Sequence, residues 1–91
     1  MRFTWDPGKK EANPRKHHGV TFEEAMEVFD DPQVFVEFDA EHSDDEPRFR
    51  AIGLSTRRLL VVVYTEVDSE TIHIVSARKA SRLATRIYEQ E

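Results

Sequence analysis

The chain has 91 residues, a formal net charge of −5 and no cysteine. This length accommodates one hydrophobic core, so we predict a single domain spanning residues 1–91. The absence of cysteine excludes a disulfide framework and a thiolate metal site. The longest apolar run, residues 59–64, is too short to cross a bilayer, and residues 1–5 lack the apolar stretch of a signal peptide. We therefore expect a soluble, cytoplasmic protein with no membrane partner.

Charge is distributed unevenly along the chain. Residues 1–20 carry five Lys and Arg against two acids, residues 21–47 carry eleven acids and no Lys or Arg, and residues 48–91 carry eight Lys and Arg against five acids. A local potential depends on which side chains cluster in space, so an acidic protein can still present a basic patch. Charge alone, however, is better interpreted as the surface of an ordinary soluble protein.

The N-terminal part predicts a strand followed by two helices. Residues 1–5 alternate as a strand, and Asp6-Pro7 then provides an N-cap with proline at the first helical position. A short helix within residues 8–18 has almost no apolar face, and Pro14 is expected to interrupt it.

The second helix carries the clearest local signal. Thr21 and Glu24 form a capping box at the start of residues 20–29, in which each side chain satisfies a free backbone N–H. Apolar residues then recur at i, i+3, i+4 and i+7, which predicts one helical face packed against a core.

The remainder predicts four strands and a closing helix. Residues 34–39 and 48–54 alternate as strands, and residues 59–64 form an unbroken β-branched run typical of a central strand buried on both faces. Residues 71–77 complete an antiparallel meander, and residues 79–89 form an amphipathic helix. We predict an α+β fold in which helices pack on one face of a small antiparallel sheet.

No established ligand-binding or catalytic motif is present. The sequence lacks a Gly-rich phosphate loop, zinc-ligand spacing and a nucleophile elbow. His17 and His18 are adjacent, so on a helix their side chains point about 100° apart and do not suit one ion. His42 lies with Asp39 in an acidic loop, residues 40–47, that lacks the spacing of an EF-hand, and a solvated loop is the better interpretation. We predict neither a metal nor a cofactor.

Basic residues gather on the predicted strand edges, in one turn and on the closing helix. Guanidinium groups on a sheet can clamp a phosphodiester and stabilise the charge that develops during its cleavage. Metal-free RNA cleavage also needs a base for the 2′-OH and an acid for the leaving oxygen. Taken one at a time, each basic residue is better explained as a solvated surface residue. The candidates for the base and the acid are His17, His18, His73, Tyr64 and Tyr88.

A series of motifs follows in order over most of the chain. The motifs are FTWDP (residues 3–7), NPRKH (13–17), VTFEEA (20–25), VFDDP (28–32), EHS (41–43), EPRFRAIG (46–53), LVVVYT (60–65) and IHIVSARKA (72–80). In this series the chain resembles the BrnT toxin family. One departure is that His18-Gly19 stand where the family usually has one residue, so either His17 or His18 can be the equivalent histidine.

The resemblance implies a RelE-like fold and a metal-independent ribonuclease that inhibits translation. It further implies a BrnA-type antitoxin with a ribbon-helix-helix domain, through which the pair would bind operator DNA and repress its own transcription. From the matched motifs and the basic set together, we predict two groups of functional residues. The catalytic group is His17, Arg48, Arg78 and Lys79, and the RNA-binding group is Lys16, Arg50, Arg57, Arg58, Arg82 and Arg86.

Two alternatives remain open. The chain can be a non-catalytic co-repressor, in which an acidic block (residues 37–46) or exposed hydrophobic residues dock the antitoxin and the antitoxin alone contacts DNA. It can also be a plain structural domain. The nuclease hypothesis requires Arg48 and Arg78, from separate strands, to converge on one face.

Overall fold

The computed structural model describes residues 1–43 and 46–90. The strands are β1 (Arg2–Trp5), β2 (Phe35–Phe38), β3 (Phe49–Leu54), β4 (Leu59–Asp68) and β5 (Thr71–Lys79), and the helices are α1 (Pro7–Lys16), α2 (Phe22–Glu27) and α3 (Arg82–Glu89). The predicted elements are present, and the α+β class is confirmed. Asp44 and Asp45 of the acidic loop, and Glu91 of the predicted domain, lie outside the described residues. No helix of the described part is long and apolar enough to span a membrane.

The five strands form one mixed sheet with the order β1-β5-β4-β3-β2. Strands β2 to β5 form the predicted antiparallel meander. Strand β1, however, runs parallel to β5, with Phe3 opposite Ile72. The prediction of a wholly antiparallel sheet is therefore wrong, because apolar alternation identifies a strand but carries no information about its partner or direction.

Strand β4 is central and has apolar residues on both of its faces. Leu60 and Val62 belong to a core that includes Phe22 of α2, whereas Val61 packs in a second cluster with Ala84 of α3. Because successive side chains of a strand point to opposite faces, α2 and α3 cover opposite faces of the sheet. The prediction that the helices share one face is wrong. A strand buried on both faces needs a cover on each.

Helix α1 begins where predicted and passes through its proline. The Oδ1 atom of Asp6 accepts hydrogen bonds from the backbone N–H groups of Gly8 at 2.8 Å and Lys9 at 3.3 Å. Pro14 lies within the helix, which continues to Lys16, so the predicted interruption does not occur. Proline within a helix removes the hydrogen bond to the carbonyl four residues earlier and crowds that carbonyl, which can kink a helix without ending it.

Only half of the predicted capping box forms at the start of α2. The Thr21 hydroxyl accepts a hydrogen bond from the Glu24 N–H at 3.0 Å. The buried Glu24 carboxylate instead accepts hydrogen bonds from Ser55 Oγ at 2.8 Å and from Arg58 Nε and Nη2 at 3.0 and 2.9 Å. The Glu24–Arg58 pair therefore ties α2 to the turn between β3 and β4.

The closing helix α3 starts later than predicted and presents a narrower apolar face. Its N-cap is Ser81, whose Oγ accepts a hydrogen bond from the Ala84 N–H at 3.1 Å. Ala84 is buried and Ile87 packs beside it, but Leu83 is exposed, contrary to the predicted apolar stripe. Because α3 packs near Ile52 and Val61, it leaves the rest of that face of the sheet open.

Candidate active site

The open part of the α3-covered face forms a groove of about 200 Å³. In the strand register, Arg50 lies opposite Val63, and Val63 lies opposite Ser76, so all three point to this face. Arg78 lies opposite Val61 and points the same way. The groove is lined by His17, Asp39, His42, Arg48, Arg50, Val63, Val75, Ser76 and Arg78. Three arginines from two strands and the segment before β3 therefore share one concave surface.

Arg48 and Arg50 enter the groove from the start of β3. The backbone of Arg48 is fixed on both sides: its N–H donates to Ser43 Oγ at 2.9 Å, and its carbonyl accepts from the Asp39 N–H at 2.8 Å. Arg50 Nη2 forms an ion pair with Glu37 at 2.8 Å, while its buried Nε has no hydrogen-bond partner in the described residues. Arg50 is thus partly neutralised, whereas Arg48 and Arg78 form no ion pair within residues 1–43 and 46–90.

His17 reaches the groove because α1 is anchored to β5. The Nδ2 atom of Asn13 donates to the carbonyls of Val20 and Ala77, both at 2.8 Å, and the Asn13 Oδ1 accepts from the Ala77 N–H at 3.2 Å. His17 is the C-cap of this helix. Burial, followed by the positive charges of Arg78 and Lys16, lowers the pKa of His17 below 6.5. The lowered pKa favours the neutral imidazole, which is the form that accepts a proton.

A second histidine, His42, lines the groove together with its partner Asp39, and neither is among the functional residues predicted from the sequence. Asp39 is only 3% exposed, and its Oδ2 atom accepts a hydrogen bond from His42 Nδ1 at 3.0 Å. The interpretation of this segment as a solvated loop is therefore wrong for Asp39. An Asp and a His three residues apart in an acidic stretch give no signal that one of them is buried, so only the packing reveals the pair.

The other predicted residues lie outside the groove. Lys16 lines a neighbouring depression together with His17 and Ser76. Arg57 and Arg58 occupy the β3–β4 turn, where Arg58 is held by Glu24. Lys79 alternates with Arg78 and lies in register with Leu60, which faces the opposite core. Arg82 and Arg86 are exposed on α3.

The other candidate proton-transfer groups have structural partners or lie elsewhere. His73 Nδ1 is hydrogen-bonded to Thr4 Oγ1 at 2.8 Å, and Tyr88 donates to Asp31 at 2.7 Å. Tyr64 is buried and stacked on Phe49, and burial raises its pKa. His18 is exposed and does not line the groove. In the described part of the chain, no group of three or more His, Asp or Glu residues is placed to hold a metal ion.

Comparison with known proteins decides the family. The family model described as "Ribonuclease toxin, BrnT, of type II toxin-antitoxin system" matches residues 5–83. The chain belongs to the BrnT family. The resemblance inferred from the motifs is thereby confirmed. All nine residues that line the groove fall inside the matched range of this BrnT chain, whereas Arg86 lies beyond it.

A solved BrnT structure supports the same assignment. The chain is similar to the crystal structure of the Brucella abortus ribonuclease toxin BrnT, with 25% sequence identity and a TM-score of 0.58. The similarity covers 90% of this chain and 99% of the Brucella chain. No curated protein sequence matches this BrnT chain. Because it belongs to the BrnT family, the chain is a ribonuclease toxin of a type II toxin–antitoxin system.

Proposed function

We propose that the chain is an endoribonuclease that cleaves RNA in the arginine groove without a metal ion. The observation that carries this proposal is the convergence of Arg48, Arg50, Arg78 and His17 on one concave surface. Guanidinium groups bind phosphate oxygens through paired, charge-assisted hydrogen bonds. A neutral imidazole beside them supplies the base. The charge distribution of the groove thus suits a phosphodiester despite the negative net charge of the chain.

The proposed reaction is an internal transesterification of RNA. His17 takes the proton of the 2′-OH, the 2′-oxygen attacks phosphorus, and the bond between phosphorus and the 5′-oxygen breaks. Arg48 and Arg78 stabilise the additional negative charge on the non-bridging oxygens. The leaving 5′-oxygen takes up a proton, so the products are a 2′,3′-cyclic phosphate and a 5′-OH end.

Basic residues outside the groove are proposed to contact RNA on either side of the cleaved bond. Lys16 borders the groove, and Lys79, Arg82 and Arg86 are exposed near the C-terminal end of the chain. The position of Lys79 on the opposite face argues for binding rather than catalysis. Arg57 is exposed in the turn between β3 and β4, and its RNA-binding role stays a prediction. Arg58 instead forms the ion pair with Glu24.

We further propose the cellular role that the family resemblance implies. RNA cleavage would inhibit translation in the cytoplasm, and a BrnA-type ribbon-helix-helix antitoxin would neutralise the toxin and bring the complex to operator DNA. The type II system named for the family supports a protein antitoxin. We also propose that the fold is RelE-like, as the family resemblance implies.

The test is RNA cleavage by the purified full chain in the presence of a chelator. We expect wild type to cleave a labelled single-stranded RNA, and Arg78→Ala and Arg48→Ala each to lower the rate by about 10²-fold or more. Arg2→Ala, at an exposed arginine of β1 outside the groove, is the matched control and should cleave like wild type. If wild type leaves the RNA intact, the nuclease proposal fails and the co-repressor role becomes the better explanation.

A further inference from the structure

We infer that His42, held by Asp39, is the general acid that protonates the leaving 5′-oxygen. This inference rests on the proposed ribonuclease function and deepens it. It concerns a histidine that lines the same groove as the three arginines and His17. His17 provides one proton-transfer group, and cleavage of a phosphodiester at neutral pH needs two.

The His42 ring is held in place by a carboxylate that the fold itself buries. Asp39 Oδ2 accepts the Nδ1–H of His42 at 3.0 Å, and Asp39 is almost fully buried while the His42 side chain is 60% exposed. A carboxylate on one ring nitrogen sets the orientation of an imidazole and leaves the other nitrogen for chemistry. His42 Nε2 is therefore the atom available to substrate.

Backbone contacts hold this pair beside Arg48. The Asp39 N–H donates to the Arg48 carbonyl at 2.8 Å. Ser43 Oγ bridges the two segments, because it donates to the Asp39 carbonyl at 2.6 Å and accepts from the Arg48 N–H at 2.9 Å. The Asp39–His42 pair and an arginine proposed to bind phosphate thus belong to one hydrogen-bonded unit, in which Asp39 acts as a positioning residue.

His42 is assigned the role of acid because His17, the other histidine of the groove, suits the role of base. The pKa of His17 is lowered by burial and by Arg78, so His17 suits the base rather than the acid. In protonated His42 both ring nitrogens carry hydrogen: Nδ1 donates to Asp39, and Nε2 donates to the 5′-oxygen. As the bond from phosphorus to that oxygen breaks, the Nε2 proton moves to the oxygen and yields the 5′-OH. The proton from the 2′-OH remains on His17, and both histidines then re-equilibrate with water.

The experiment compares two substrates that differ only in the leaving atom. One is an ordinary RNA oligonucleotide, and the other carries sulfur in place of the bridging 5′-oxygen at one linkage. A thiolate is a far weaker base than an alkoxide and departs without a proton. We expect His42→Gln to cleave the ordinary RNA about 10²- to 10⁴-fold more slowly than wild type, and the sulfur substrate at a rate close to wild type.

Three further variants complete the test, each with the full chain and a folding check by circular dichroism. Asp39→Asn should reproduce the His42→Gln pattern more weakly, with the defect again absent on the sulfur substrate, which a merely structural role would not produce. His17→Gln, which removes the proposed base, should be slow on both substrates. His73→Gln, at a histidine outside the groove, should match wild type on both.

The possible outcomes distinguish failure of the His42 role from failure of the proposed ribonuclease function. If wild type cleaves neither substrate, the proposed ribonuclease function fails and the inference fails with it. If wild type cleaves RNA and His42→Gln cleaves it equally well, the function stands and the role of His42 is refuted. An equal defect of His42→Gln on both substrates also overturns the acid assignment. The exposed His42 side chain makes this variant compatible with folding even if Asp39→Asn is not.

Discussion

The side-chain amide of Asn13 pairs with both backbone groups of Ala77, as a neighbouring strand would. Its Nδ2 donates to the Ala77 carbonyl at 2.8 Å, and its Oδ1 accepts the Ala77 N–H at 3.2 Å. The register of β1 on β5 ends with Trp5 opposite Ile74, so this stretch of β5 lies past the end of its parallel neighbour. Asn13 thereby satisfies the edge of β5 and places the end of α1 next to Arg78.

We expect Asn13→Ala to destabilise the protein by about 3 kcal/mol. The substitution leaves the backbone groups of Ala77 and the carbonyl of Val20 without their partner, and each unsatisfied buried group costs about 1–3 kcal/mol. Urea denaturation measures the change. Thr4→Val is the control, because it removes an exposed side-chain hydrogen bond at the same edge of the sheet and should change stability by less than about 0.5 kcal/mol. Equal losses in the two variants would show that Asn13 has no special role.

We expect Arg78→Gln to raise the pKa of His17. Burial contributes most to the lowered pKa, and the charge of Arg78 is the next cause, so removing that charge should move the pKa back toward 6.5 without fully restoring it. NMR titration of the His17 ring measures this directly and does not depend on activity. Arg2→Gln, which removes a charge outside the groove, should leave the His17 titration unchanged. An unchanged titration in Arg78→Gln would mean that the two side chains are not neighbours in solution.

We expect Glu24→Gln to lower stability by about 3 kcal/mol at neutral pH, because it leaves the largely buried Arg58 without its counter-charge. The hydrogen bond from Arg58 holds the pKa of Glu24 below its usual 4.5, so the folded-state pKa is depressed. The stabilisation by the carboxylate is then present above about pH 4.5 and lost as pH falls through the folded pKa. The difference in the free energy of unfolding between wild type and Glu24→Gln should therefore become smaller as the pH falls.

Denaturation curves at a series of pH values provide this measurement. Glu11→Gln is the matched control, since Glu11 forms an exposed helical ion pair with Arg15 and should contribute less than about 0.5 kcal/mol. A Glu24→Gln variant as stable as wild type at neutral pH would contradict the structural role of this pair. RNA cleavage by a folded Glu24→Gln protein should remain at the wild-type level.

We expect Tyr88→Phe to weaken the docking of α3 by about 1.5 kcal/mol, the contribution of a hydrogen bond to a charged group. The Tyr88 hydroxyl donates to Asp31, and this contact raises the pKa of Tyr88 to about 12. A phenol so placed is not a proton donor in the groove, so cleavage should be unaffected. Urea denaturation and the RNA assay together test both statements. Lost cleavage in a stable Tyr88→Phe protein would return Tyr88 to the catalytic candidates.

Local elements of the fold were predictable because their signals are local. The Asp6 N-cap, the apolar period of α2 and the β-branched run in β4 each depend on residues within a few positions of one another. The direction of β1 and the face chosen by α3 were predicted wrongly. Both depend on contacts between residues more than twenty positions apart, such as Phe3 with Ile72 and Val61 with Ala84, for which a single sequence contains no periodic signal.

The sequence likewise identified some residues of the candidate site and not others. Family motifs identified His17, Arg48 and Arg78, and the structure brings these three together. Arg58 and Lys79 were also predicted as functional residues, yet Arg58 is bound to a buried carboxylate and Lys79 faces away from the groove. Asp39 and His42 were passed over because burial of a single acid in an acidic stretch leaves no trace in composition.

The sequence by itself determined the class of the protein: its family, its main helices and strands, and a supply of arginine sufficient to hold a phosphate. Only the tertiary structure decided which of those arginines face one another and that a buried aspartate holds a second histidine among them. The reason is physical. Side-chain alternation assigns residues to the two faces of a strand, but which face stays open depends on where a helix encoded elsewhere in the chain packs.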